Sequence, residues 1–103
     1  MSKDLNKLLK QAQKMQSQMM KAQDEFKKQE IEGSAGGGMV TVKLSGANEM
    51  LSISINPEAV DPDDVEMLED LIVAAHANAL EKLKTASDST FGALAGGLKL
   101  PGT

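Results

Sequence analysis

With 103 residues, no cysteine and a formal net charge of −4, the chain suits one small domain whose stability is marginal and cannot be raised by disulfides or thiolate-bound metal. The acidic total excludes a uniformly basic nucleic-acid binder. It conceals a split in sign, however: residues 1–23 carry five Lys and one Asp, whereas residues 31–103 carry four Lys and eleven acids, which points to an interaction surface at the basic end.

Residues 3–30 contain no Gly or Pro and are rich in Lys, Gln, Met, Ala and Leu, which favours a helix. Apolar Leu5, Leu8, Ala12, Met15, Met19, Ala22 and Phe26 follow one another in alternating steps of three and four. This a/d heptad pattern lays one continuous seam along the helix. At 1.5 Å per residue the helix spans about 42 Å, more than the width of a small domain, so its far end is expected to project. A projecting seam needs a partner, and a second copy of the chain is the simplest one. The pattern leaves open whether the seam pairs between copies or packs back on the chain's own second helix and sheet.

Gly33-Ser-Ala-Gly-Gly-Gly38 cannot continue the helix. In Met39–Leu44, Val40, Val42 and Leu44 alternate with Met39, Thr41 and Lys43; after the turn-like Ser45–Asn48, Leu51, Ile53 and Ile55 alternate with Ser52, Ser54 and Asn56. Both runs read as half-buried strands joined in a hairpin, and Glu30–Glu32 adds a short strand ahead of the glycines. Asn56-Pro57 closes the sheet. Asp61 offers an N-cap, with Pro62 at the first helical position and Asp63 and Asp64 in the first turn, so a second helix is expected from there. Its apolar face is Val65, Leu68, Leu71, Ile72, Ala75, Ala79 and Leu83, and it runs to about residue 86. Residues 87–103, rich in Gly and Pro, are expected to form a loosely ordered tail after another helical turn or two. The class is α+β: α-β-β-β-α, with a long N-terminal helix, a small antiparallel sheet and a C-terminal helix, in a single domain spanning 1–103.

Met1–Lys14 carries five charges and lacks the apolar run of a signal peptide, and the strongly apolar Leu71–Ala75 is too short for a bilayer. A soluble cytoplasmic protein is therefore expected.

The lysines of the first helix are placed with care. With Leu5 at heptad position a, Lys3 and Lys10 fall at f and Lys7, Lys14, Lys21 and Lys28 at c, opposite the seam. A solvated helix back is the plainer account. Yet only Asp4 precedes Asp24 among the acids, whereas a surface built for solubility mixes signs and gains i,i+4 pairs. A one-sided stripe suits phosphates, whose neutralisation releases counterions and makes affinity fall with salt. Gln11, Gln13, Gln16 and Gln18 can add hydrogen bonds to phosphate or sugar.

Other constellations carry less. The glycine cluster lacks the Lys-Ser/Thr of a phosphate loop and precedes a strand, so a connection between strands is the better account. His76, without Cys or a carboxylate set, makes no metal site and reads as packing at the core margin. Asp61, Asp63, Asp64, Glu66, Glu69 and Asp70 crowd a helix start, where they cap and complement the dipole; no enzyme, cofactor or small-molecule substrate is expected. Phe26 and Phe91 are the aromatic residues, and all eleven basic residues are Lys. Base stacking and bidentate Arg–guanine contacts are thus missing, which leaves duplex backbone contact with little base readout.

The chain resembles the YbaB/EbfC family of bacterial nucleoid-associated proteins. LLKQAQKMQSQM, EGSAGGGMVTVKLSG, INPEAVDPDDVEMLEDLIVAAHANAL and the terminal GGLKLP carry the resemblance, in order over nearly the whole chain. It implies a tweezer-like homodimer, its central strands joining the protomers and its helices projecting as arms that contact double-stranded DNA in the nucleoid and alter its conformation. Carried onto this sequence, the DNA-binding candidates are Lys3, Lys7, Lys10, Lys14 and Lys21, with Lys82 and Lys84 on the terminal helix. A second reading is a protein-interaction adaptor that uses the heptad seam, with DNA binding incidental.

Overall fold

The computed structural model describes residues 2–96. They form α1 (Ser2–Lys27), β1 (Glu30–Ala35), β2 (Val40–Ser45), β3 (Met50–Ile55), a 3-10 turn (Pro57–Ala59) and α2 (Val65–Gly96). This is the α-β-β-β-α order read from the sequence, in an elongated body of 76 × 27 × 15 Å. The strands lie in the order β1-β2-β3, each pair antiparallel.

Residues directly opposite in the ladder share a face. Ile31, Gly33 and Ala35 of β1 pair with Leu44, Val42 and Val40 of β2, and α2 lies across these two strands. Val40, Val42, Leu44, Ala75, Ala79, Leu83 and Phe26 make the buried core. The opposite face is polar: there Lys43 reaches Glu30 (3.6 Å) and Glu32 (3.8 Å) of the neighbouring strand.

β1 runs on past the Glu30–Glu32 expected of it, because Gly33 serves the packing. A Cβ on Gly33 would meet Ala79 Cα at 2.5 Å and the Ala75 carbonyl oxygen at 2.6 Å. With hydrogen there instead, the α2 backbone rests directly on the strand, and the Ser34 N–H donates to Asn78 Oδ1 at 3.0 Å. The glycines that follow do turn the chain. Gly36, Gly37 and Gly38 have φ of 65°, 66° and 92°, a tight left-handed connection that side chains resist. At the other hairpin the Ser45 hydroxyl accepts the N–H groups of Ala47 and Glu49, and Asn48 takes φ 64°.

The structure departs from expectation in three further places. In β3, Ile55 joins the core, but Leu51 and Ile53 are exposed instead of half-buried. Ile53 pairs with Val42, yet it is 42% exposed where Val42 is 0%, since α2 stops short of this edge strand. Second, Asp61 does not cap α2. Its carboxylate closes a turn by accepting the Asp63 N–H (2.9 Å), Pro62 lies in that turn, and Asp64 accepts the Met67 N–H (3.2 Å) just ahead of the helix start at Val65. Val65, placed on the apolar face from its spacing, is exposed, because it opens the helix a turn ahead of Leu68, the first residue of that face to pack against the core. Third, α2 extends to Gly96, somewhat beyond the helical turn or two expected after residue 86, and Phe91 finds an apolar contact there; the rest of the expected loose tail lies outside the described residues.

Candidate nucleic-acid interface

α1 is anchored at one end. Phe26, 5% exposed, packs edge-to-face on Phe91 of α2, ring centroids 5.4 Å apart. The Gly46 N–H donates to the Gln29 carbonyl at 3.0 Å, and a side chain at Gly46 would run into the Phe26 carbonyl. Asp4 in the first turn and Lys27 in the last complement the helix dipole.

Toward the N-terminus α1 leaves the body. Phe26 is its one buried residue; Leu5, Leu8, Ala12 and Met15 are exposed, and Met19 and Ala22 half-buried. Among the described residues, therefore, the seam is uncovered from Leu5 to Met15 and partly covered at Met19 and Ala22, toward the Phe26 anchor.

On the back of this arm Lys3, Lys7, Lys10, Lys14 and Lys21 are all exposed, spread over about 27 Å at 1.5 Å per residue. Among the described residues the ion pairs are those of Lys43, so none of these five is neutralised by an acid. Of the two α2 candidates, Lys84 lines an open groove with Phe26, Gly46, Leu83 and Ser87 at the root of α1, which places it at the base of the arm. Lys82, also exposed, lines a separate groove with Asn78, Thr85 and Ser89. Lys27, not singled out from the sequence, lies beside Phe91 and Ala47 at the same root. Its heptad position b adjoins the lysine-bearing c, and that signal could have found it.

The grooves are shallow and open to solvent. His76 is half-buried on α2, and the acidic residues ahead of the helix are exposed. No three His, Cys, Asp or Glu among the described residues are grouped to hold a metal ion, and no described helix is long and apolar enough to cross a membrane. The molecule's conspicuous feature is thus an extended cationic rod with an apolar opposite face.

Known proteins bear on this arrangement. The chain is 54% identical over 99 residues to a nucleoid-associated protein of Clostridium novyi (strain NT), covering 96% of this chain and 87% of that protein. It is 47% identical over 102 residues to a nucleoid-associated protein of Pelotomaculum thermopropionicum, covering 99% and 97%. The fold is also that of an uncharacterized protein of Helicobacter pylori, whose crystal structure superposes with a TM-score of 0.68 at 19% identity over 84% of this chain and 92% of that one. The profile of the YbaB/EbfC DNA-binding family matches residues 1–98, and the chain belongs to that family.

Proposed function

We propose that this protein binds duplex DNA as a homodimer, through the lysine face of α1, with low sequence specificity. By altering the conformation of the DNA it would contribute to nucleoid organisation and gene regulation. The observation that carries the reading is the run of five exposed, unpaired lysines on a helix that projects from an otherwise acidic chain. The names of the curated relatives, nucleoid-associated proteins, agree with it. With neither Arg nor stacking aromatics on the arm, the contacts are to phosphate and sugar.

β3 supports the homodimer. It is an edge strand whose backbone groups are open on one side, and Met50, Leu51 and Ile53 are exposed beside it. Exposed apolar edges of this kind associate, and a second copy placed there completes the core over β3 and sets two α1 arms on one body.

Titration of duplex DNA at several salt concentrations tests the proposal. Affinity is expected to fall with salt, the log–log slope losing roughly 0.9 for each lysine–phosphate contact removed. Replacing Lys3, Lys7, Lys10 and Lys14 by Glu is expected to weaken binding about 100-fold at low salt. Unchanged affinity in that variant, or a flat salt dependence, removes α1 as the binding surface.

A further inference from the structure

We propose that the seam of α1, exposed from Leu5 to Met15 and half-buried at Met19 and Ala22, pairs with the α1 seam of a second copy, antiparallel, in a register that places residue i opposite the residue whose number completes a sum of 27. The evidence is the order of side-chain sizes along the seam. In this register Leu5 faces Ala22, Leu8 faces Met19 and Ala12 faces Met15. Every layer joins an a position to a d position, as antiparallel helices require. Each of the two alanines meets a long side chain, Leu or Met, so neither layer is left hollow. In a parallel pair Ala12 faces Ala12 and Ala22 faces Ala22, and the gaps so formed are costly.

The flanks of the seam point the same way. Positions e and g between the ends are Leu9, Gln11, Gln16, Gln18 and Gln23, without a single charge. Two strongly cationic helices can therefore meet along the seam with their lysines turned outward, and like charges approach only at the extremities, where Asp4 lies near the partner helix's Glu25. Such neutral flanks favour a second copy over a charged partner helix, which would find nothing there to pair with. The seam from Leu5 to Ala22 is about 27 Å long, and two helices touching over that length bury less than the roughly 800 Å² per partner of a standard interface. The association is consequently concentration-dependent. It is separate from pairing at β3, and a chain carrying two self-complementary surfaces builds assemblies larger than a dimer. If DNA binds the lysine faces, which rests on the reading above, the paired arms present cations on both outer sides and can hold two duplexes together.

The test needs no DNA, so its outcome is independent of that reading. By sedimentation across a concentration series, the wild-type chain is expected to reach twice the mass of a variant with Leu5, Leu8, Met15 and Met19 replaced by Gln, a good helix former. Equal masses at every concentration overturn the proposal. The native chain has no cysteine, so register can be read directly by mixing an Ala12→Cys chain with a Met15→Cys chain and oxidising mildly. The mixed disulfide is expected to dominate over both homodimeric ones and to form faster than that of a Ser17→Cys control on the back of the helix. Dominance of the disulfide that joins two Ala12→Cys chains, or rates no faster than the control, overturns it even if the glutamine variant loses its helix.

Discussion

α1 and α2 are both long helices of good helix-forming residues, but they stand in opposite relations to the sheet. α1 has the more regular apolar seam and contributes one buried residue, Phe26; α2 contributes Ala75, Ala79 and Leu83. The difference lies in side-chain size. Alanines at 75 and 79 let the α2 backbone come down onto Gly33, which a row of Leu and Met would prevent. The Leu and Met of α1 suit interdigitation with the side chains of another helix, and among the described residues none covers Leu5, Leu8 or Met15. A regular seam shows that a helix has a face to bury; the size of its residues shows what sort of surface that face awaits.

Substitutions that act on one helix and spare the other sharpen this contrast. The largest effect on stability is expected at the sheet–α2 contact. Gly33→Ala forces apart two backbones with no flexible side chain to yield, and a loss of about 3 kcal/mol is expected in denaturant unfolding; a native-like midpoint would mean that α2 does not rest on the strand. Next comes a matched pair. Leu83→Ala, in the core, is expected to cost about 2–3 kcal/mol, whereas Leu8→Ala, at a residue 62% exposed, stays within about 0.5 kcal/mol at low protein concentration. Similar losses at the two positions would show that α1 is covered in the dilute protein. The smallest effect concerns where α2 begins. Asp64→Ala is expected to lower stability by about 1 kcal/mol as an N-cap is lost, and Asp61→Ala, which removes a turn contact alone, by less. The reverse order in thermal melts would return the cap to Asp61.

Much of this is legible in the residues. The seam and the lysine stripe opposite it follow from spacing along one helix, and the alternation of Val40, Val42 and Leu44 names the buried face of β2. Those features depend on periods of the chain's own geometry. β3 shows the limit of such signals: Leu51 and Ile53 alternate as cleanly as the β2 residues and are nonetheless exposed. Alternation records which side of a strand is apolar; it holds no information on whether another element lies over that side. The candidate site is legible to the same degree. Heptad position identifies Lys3, Lys7, Lys10, Lys14 and Lys21, but that Lys27 and Lys84 each line a groove at the root of α1, the two grooves sharing Phe26, Gly46 and Ser87, depends on residues far apart in the chain.

Local preference thus accounts for the elements, their order, the glycine turn and the sidedness of α1, because each depends on a residue and its near neighbours. Coverage is a different matter. That α2 shields β1 and β2 but leaves Leu51 and Ile53 of β3 exposed, that Gly33 is a packing surface and not a break in the strand, and that the α1 seam is uncovered from Leu5 to Met15 among the described residues all arise from how far a helix extends and how closely it can approach a sheet. Burial is a sum over contacts distant in sequence, and it is settled once the elements have taken their places against one another.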